Sequence, residues 1–488
     1  MKHYLAIDLG AESGRAVLVR LEVKKAHMEE LHRFPNRPVR LGGTLFWDFP
    51  FLFAEILASL RLCAEQSLPI DAIGVDTWGV DFGLLGPDGQ LLGNPVHYRD
   101  GRTDGIHEYS NPIMSAQKVF EATAAEPWAI SSLFQLLAMK KNDSPLLGLA
   151  RDFLNMPDLF NYFLTGVKAS EKTIASTANL MSCEGQWSQP VIERFGLPDM
   201  FGRLVEPGTV LGPITEDIQR QTGLGPVPVV ATCGHDTSAV AAAVPAEGNR
   251  WAFLSCGTWS ILGKLQDRPV TTPEAFNGGF CNEYTLASWF ICRNILGLWL
   301  VQELKRKWDT STDAWDYDRI TDEARSATSR SMFSVNDRRL MAPVDMEEAL
   351  YAVLAEAGQP QPGTRGELVR CVLESLALEY AYRLERITEV TGQKSESVYM
   401  VGGGIKNTLL CQLTADACGV PVHAGADQCT AMGNALTVAV AMGDLSGPED
   451  IRRVMRNSFE MITYEPKDAA AWVEKRRQYA AMQKEQAR

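Results

Sequence analysis

The chain opens on an apolar run, Tyr4-Leu5-Ala6-Ile7, that stops at Asp8-Leu9-Gly10. A short apolar run ending in small and polar residues reads as a buried strand entering a tight turn. Arg15-Ala16-Val17-Leu18-Val19-Arg20 reads as the returning strand, so the chain is expected to begin with a hairpin. Around Phe46–Leu62 the apolar spacing becomes helical, and Asp71–Thr77 returns to a buried strand. Gly86-Pro87-Asp88-Gly89, set between the apolar runs Val80–Leu85 and Leu91–Val96, predicts a second hairpin. From Asn111 to Met181 the reading is mainly helical, with Asp158–Leu164 stopped by Gly166. A strand over Val227–Ala231 and an apolar helix over Ser238–Ala243 follow.

A second copy of the opening plan comes after Val244-Pro245-Ala246-Glu247-Gly248-Asn249, a polar segment between apolar elements that reads as a lobe boundary. Trp251–Leu254 is strand-like, Ser255-Cys256-Gly257-Thr258 is a small-residue turn, and Trp259–Gly263 returns. Over Glu367–Val390 the residues Val372, Leu373, Leu376, Tyr380, Leu384 and Ile387 fall on one stripe, a core-packed helix ended by Gly392. Strand Ser397–Val401, the triple glycine Gly402-Gly403-Gly404 and a helix over Asn407–Ala417 complete a mixed α/β order. The Ala-, Lys-, Arg- and Gln-rich end, Asp468–Arg488, predicts a solvated helix. At 488 residues the chain exceeds one ordinary core. Two lobes are expected, residues 1–244 and 245–488.

Composition narrows the function. With 45% apolar and 22% charged residues the chain is of globular type, and a formal net charge of −13 speaks against a nucleic-acid partner, which needs a basic surface. An anionic ligand must be held locally. The start lacks the pattern of a secretory signal, and no apolar stretch is long enough to span a membrane. The ten cysteines form no C-x-x-C and the histidines no H-E-x-x-H, so a reduced, cytoplasmic chain is expected, monomer or homodimer.

Four segments carry candidate chemistry. Asp8-Leu9-Gly10-Ala11-Glu12-Ser13-Gly14-Arg15 sets a carboxylate at a strand end beside a turn whose backbone N–H groups can approach phosphate oxygens. Asp8 suits Mg²⁺ held through water, and the plain alternative is an ordinary turn with a solvated Asp. Asp76-Thr77-Trp78-Gly79-Val80-Asp81 offers an aromatic face, a glycine amide and a carboxylate, groups a sugar site wants, against the alternative of a core Trp78. Gly234-His235-Asp236-Thr237 sets a carboxylate between strand and helix, either as a base that deprotonates a hydroxyl or as a helix cap. Val401-Gly402-Gly403-Gly404 lets a flat base or ribose lie against the backbone, or is a simple tight loop. It is not G-x-G-x-x-G, and no G-x-x-x-x-G-K-[ST] occurs.

Together, in this order and over almost the whole chain, these segments resemble the FGGY carbohydrate kinases, whose fold is related to actin, Hsp70 and hexokinase. Asp76-Thr77-Trp78-Gly79-Val80-Asp81-Phe82, Tyr98-Arg99-Asp100, Met156-Pro157-Asp158, Ser255–Trp259 and Gly297-Leu298-Trp299-Leu300 place the likeness nearest the subgroup acting on L-rhamnulose. The resemblance implies an α/β, two-lobed actin-like ATPase (ribonuclease H-like) fold with a nucleotide and sugar cleft between the lobes. It implies ATP and Mg²⁺, a small sugar as partner, and transfer of the γ-phosphate to the sugar 1-hydroxyl. Ala11, Glu12, Ser13, Gly14 and Arg15 are then expected at the ATP phosphates, joined by Thr258, with Asn294, Gln302 and Gly403 lining the nucleotide site. Gly79, His235, Asp236 and Thr237 are expected at the sugar, Asp236 as base and Asp8 at the metal. Glu12 and Cys256 depart from the subgroup's pattern, and a glutamate aimed at phosphates is repulsive, so Glu12 is expected to point away. Another sugar specificity (L-fuculose, xylulose or ribulose), or a non-catalytic actin- or Hsp70-like ATP switch, stays open at this level.

Overall fold

The computed structural model describes residues 1–310 and 312–486. The chain forms two compact units. The first takes in Met1–Pro245 together with Leu265–Ile291 and Cys429–Ser458, and the second takes in Ala246–Lys264, Cys292–Gln428 and Phe459–Arg488. Beyond the expected crossing near residue 245, two later segments thus pack with the first unit.

The first unit is built on a six-stranded sheet in the order Thr209–Pro213, Pro228–Ala231, Ala72–Thr77, Lys2–Leu9, Ser13–Leu21, Ala26–Pro35. The expected opening hairpin is present, with Asp8 opposite Arg15 in its antiparallel register. Ala72–Thr77 runs parallel to both Lys2–Leu9 and Pro228–Ala231 and is buried along its whole length. Burial on both faces is why such strands read as unbroken apolar runs. Because the three strands are parallel, their carboxyl ends lie on one edge of the sheet, the edge that serves ligands in α/β proteins. Phe49–Glu65 is a helix capped by Asp48, whose Oδ1 accepts from Phe51 N at 3.2 Å, and its Leu52, Ile56 and Leu60 pack beneath the sheet. The helix Cys429–Ala441 lies against the helix Asp236–Ala243. Their approach is close: a Cβ on Gly433 would fall 2.0 Å from the Ala239 carbonyl oxygen.

The second unit repeats the plan. Trp251–Cys256 pairs antiparallel with Trp259–Gln266 and parallel with Ser397–Val401, which pairs parallel with Val422–Ala424. Behind the sheet runs Arg365–Thr391, capped by Thr364 and ended by Gly392 in the left-handed region at φ 68°.

Two expectations are corrected. The turn at Gly86–Gly89 forms and begins a hairpin, with Leu85 bridging Leu91 antiparallel and Leu92 N donating to Leu84 O at 2.9 Å, but Leu91–Val96 does not continue as a strand; Phe82–Leu85 pairs on its other side with Asp152–Asn155, inside the stretch expected to be mainly helical. The carboxy-terminal helix, Ala469–Gln486, is not simply solvated. Trp472 and Tyr479 are buried, and Tyr479 Oη donates to Glu379 Oε2 at 2.9 Å, docking the helix on Arg365–Thr391. Its polar composition conceals a face that meets a buried carboxylate. No helix among the described residues is long and apolar enough to cross a membrane.

Gly433→Val forces two packed helices apart and is expected to cost about 1–3 kcal/mol. Calorimetry should show a lowered unfolding midpoint; an unchanged midpoint would show that the helices do not meet at this residue.

Candidate functional site

In the first unit, the parallel register sets Asp8 directly beside Asp76. Asp8 is nearly buried, and Arg15 donates to its Oδ2 from Nη2 at 2.7 Å and from Nε at 2.9 Å. The turn between them, Ala11 to Arg15, is closed by Gly10 N donating to Ser13 O at 2.9 Å, and is held from outside by Asn36 N donating to Glu12 O at 2.9 Å. Glu12 is exposed, while Gly14 is buried. Asp76 is fully buried, its Oδ2 accepts from Asn434 Nδ2 at 2.5 Å, and its Oδ1 has no hydrogen-bond partner among the described residues. Burial first, then the neighbouring Asp8, push the Asp76 carboxyl well above its ordinary value.

The third parallel strand delivers Gly234–Thr237 to the same edge. Thr77 N donates to Gly234 O at 2.9 Å, and Thr77 forms a parallel bridge with His235. Asp236 is the first residue of its helix, and the N-cap position falls on His235, which caps nothing with its side chain. Asp236 Oδ1 accepts from Thr237 N at 2.5 Å and from Thr237 Oγ1 at 3.1 Å. Its side chain is 37% exposed. Burial of the surroundings raises its carboxyl above the ordinary value, the charge of His235 works against that, and Asp8 adds to it. Gly79 abuts the same ring: a Cβ there would lie 3.2 Å from His235 Nε2 and 3.2 Å from Thr177 Oγ1. Gly79, His235, Asp236 and Thr237 therefore lie together, within the same unit as Asp8 and the turn Ala11–Arg15.

Two acidic residues of this region escaped the sequence reading. Glu171, buried, accepts from Thr173 N at 2.7 Å, Thr173 Oγ1 at 2.5 Å, Ile174 N at 3.2 Å and Gly234 N at 3.0 Å. It thereby ties the Gly234 loop to the segment beginning at Lys172. Burial raises its carboxyl to about 7, against those four donors. Glu283 places Oε2 2.8 Å from His235 Nδ1, an ion-pair contact rather than an aligned hydrogen bond. Neither position carries a local signature. Glu171 has only the look of a helix cap, and Glu283 stands in an ordinary strand far along the chain.

Trp78 and Asp81, offered as sugar-facing groups, are structural. Trp78 is 5% exposed and rests on Trp47 with ring centroids 3.9 Å apart. Asp81 is fully buried and accepts from Trp47 Nε1 at 2.6 Å, Trp78 Nε1 at 3.0 Å, Tyr98 N at 3.2 Å and Gln135 Nε2 at 2.9 Å. Beside them Val80 sits at φ 70°. This is an unfavourable region for a β-branched residue, held by Thr177 Oγ1 accepting from Val80 N at 3.0 Å and Ser132 Oγ donating to Val80 O at 2.6 Å.

In the second unit, Thr258 lies in the turn after Trp251–Cys256, and its carbonyl accepts from Gly297 N and Trp299 N, each at 3.1 Å. Asn294 and Gln302, both half-buried, flank that contact on the strand Ser288–Leu296 and on the first turn of the helix Trp299–Trp308. The triple glycine closes on the same turn from the other side. Gly402 adopts φ 85°, and a Cβ on Gly404 would fall 2.3 Å from Cys256 Sγ, whereas one on Gly403 would meet nothing within 4 Å. Cys256 is thus packing material under the loop, its thiol pushed up to about 11 by burial. Three loops, 256–258, 297–299 and 402–404, abut here, with Gly403 facing open space.

Comparison with known proteins identifies the two parts of the chain. Residues 3–243 match the N-terminal domain, and residues 252–442 the C-terminal domain, of the FGGY family of carbohydrate kinases. The chain belongs to that family, whose members are ATP-using kinases. It is 40% identical over 476 residues to a protein named rhamnulokinase from Bacteroides thetaiotaomicron, covering 96% of this chain and 97% of that one. It is 33% identical to a rhamnulokinase from Halalkalibacterium halodurans, covering 95% and 99%. Among solved structures, a ligand-bound xylulose kinase from Lactobacillus acidophilus superposes with a TM-score of 0.85 at 16% identity, covering 100% of this chain and 99% of that one. Plasmodium falciparum glycerol kinase with ADP gives 0.80 at 14%, covering 99% and 97%. At such identities the likeness shows the fold, the two-domain actin-like ATPase fold.

Glu171 supplies a test of the site's frame. A carboxyl whose value rises from about 4.5 unfolded to about 7 folded stabilises the folded state fully below about 4.5, and that contribution is lost as pH rises through about 7. Glu171→Gln should shrink the difference between urea midpoints measured at about pH 5 and about pH 8. An undiminished difference would show that Glu171 does not carry it.

Proposed function

We propose that this chain transfers the γ-phosphoryl group of ATP to the 1-hydroxyl of L-rhamnulose, giving L-rhamnulose 1-phosphate and ADP, as a cytoplasmic step of L-rhamnose catabolism. The observation that carries the reading is the setting of Asp236: a carboxylate still 37% exposed, at the carboxyl ends of parallel strands, with His235 against it and Gly79 against the His235 ring. The names of relatives matched along nearly the whole chain supply the sugar.

Asp236 accepts the proton of the 1-hydroxyl as its oxygen attacks the γ-phosphorus and the bond to the ADP oxygen breaks. A carboxyl raised by burial is a stronger base than an ordinary one, while the adjacent His235 favours its ionised form. Gly79, His235 and Thr237 bind the sugar, and Gly79 has no side chain to obstruct it. The turn of Ala11, Glu12, Ser13, Gly14 and Arg15 offers backbone N–H groups to the phosphates, with Glu12 turned to solvent. Thr258 meets phosphate, and Asn294, Gln302 and Gly403 receive the nucleoside in the second unit. Mg²⁺ fits the chemistry at Asp8, where the donors are carboxylate oxygens and the adjacent Asp76 Oδ1 has no hydrogen-bond partner among the described residues. That suits an ion that keeps most of its water. When bound, it offsets charge on the phosphate oxygens.

Asp236→Asn should lower kcat by about 10²–10⁴-fold while calorimetry shows L-rhamnulose still binding. Near-normal turnover would remove Asp236 from the mechanism. A coupled ADP-release assay should favour L-rhamnulose over L-fuculose, xylulose, ribulose and glycerol. Similar rates on all five would defeat the sugar assignment, and tight ATP binding without sugar binding would favour a nucleotide switch.

A further inference from the structure

His235 stands between two carboxylates. Its Nδ1 lies 2.8 Å from Glu283 Oε2, and its Nε2 lies 3.2 Å from Asp236 Oδ1. Glu283 is 6% exposed and belongs to the strand Cys281–Thr285, in the segment Leu265–Ile291 that packs with the first unit. That strand is stitched to the helix bearing Asp236. Ser238 Oγ donates to Tyr284 O at 2.7 Å and Thr285 Oγ1 donates to Ser238 O at 2.7 Å, while Tyr284 N donates to Ser176 Oγ at 3.0 Å. These contacts flank Glu283 and fix its distance from the ring. Among the described residues the Glu283 side chain meets His235 and the Cys281 thiol, the latter 3.7 Å from Oε1.

We infer that Glu283 is a positioning residue for the phosphoryl transfer: it orients the His235 ring and keeps a proton on Nδ1, so that Nε2–H faces Asp236. The inference rests on the reading of Asp236 as the base. A carboxylate behind an imidazole does this work in other sites by fixing tautomer and ring direction. Burial alone drives His235 toward its neutral form, and the charge and contact of Glu283, followed by Asp236 and by Glu171 before the Lys172 segment, reverse this and raise it to about 9. A charged His235 in turn favours ionised Asp236 against burial and the nearby Asp8. The group is raised, so its protonated form persists below about 9 and is lost above it. Without Glu283 the loss comes at lower pH.

The test uses the full chain with MgATP saturating, following kcat and KM for L-rhamnulose from about pH 5 to about pH 10. In wild type the alkaline limb is expected near 9. In Glu283→Gln it should move toward acid by about one pH unit or more, with kcat lowered about tenfold or more. Glu283→Asp, which keeps the charge, should restore the limb in part, and it carries the test should the Gln variant not fold. A limb that stays in place in an active Gln variant overturns the proposal, even where KM rises or the unfolding midpoint falls, as for a merely structural residue. An inactive wild type instead sinks the kinase reading. In that event the titration of the His235 ring by NMR, its signal assigned by its absence in His235→Gln, still decides: an unshifted titration in Glu283→Gln overturns the inference.

Discussion

Parallel pairing of Lys2–Leu9, Ala72–Thr77 and Pro228–Ala231 forces their carboxyl ends onto one edge, and the residues standing there are acids. Asp8 and Asp76 are neighbours in register, and Asp236 follows the third strand. Three carboxylates cannot gather near the interior without partners, because burial and mutual repulsion both oppose their charge. The surrounding sequence answers each in a different way. Arg15, opposite Asp8 in the hairpin, grips it with two nitrogens. Asp76 has the amide of Asn434, from the late segment Cys429–Ser458, and burial drives it toward the neutral form. Asp236 has His235. The one carboxylate of the three left partly exposed is the one that, on the proposed reading, must reach a hydroxyl.

The second unit uses the same strand-turn-strand plan for another purpose. Where the first unit ends its strands in acids, the second ends them in Ser255-Cys256-Gly257 and Val401-Gly402-Gly403. Three loops close on one another so tightly that a side chain at Gly297 or Gly404 would strike backbone or a buried thiol. Removing side chains exposes backbone N–H groups and a flat surface, which suits a nucleotide without adding charge. On the proposed reading, one architecture separates proton transfer from nucleotide holding by what stands at the strand ends.

Much of this was legible because it is local. Strands buried on both faces announce themselves as apolar runs, and Gly166 and Gly392 announce helix ends. Both opening hairpins and the triple-glycine loop follow from such signals. The failures are long-range. Phe82–Leu85 takes its full-length partner from Asp152–Asn155 and only a short contact across the nearby turn, and the last helix looks solvated because Tyr479 meets Glu379 only in three dimensions. Trp78 stayed open between a sugar platform and a core residue because an indole beside a glycine and a carboxylate suits either role. Four donors converging on Asp81 decide for structure. Glu171 and Glu283 were invisible for a related reason: a buried glutamate is costly anywhere, so sequence gives no ground to bury one until its donors are known.

The same electrostatics bears on how an acidic chain can take an anionic nucleotide. The net charge of −13 offers phosphates no general attraction, and the cationic groups nearest the acidic edge are already committed, Arg15 to Asp8 and His235 to Asp236 and Glu283. On the proposed reading, the triphosphate must be held by oriented dipoles of the turn Ala11–Arg15 and by whatever cation accompanies it. Dipoles fixed by Gly10 N on Ser13 O and Asn36 N on Glu12 O act at hydrogen-bond range and fall off steeply beyond it. An acidic surround that repels anions at distance, with a rigid turn that binds them at contact, favours a nucleotide arriving with its charge already offset over one arriving bare.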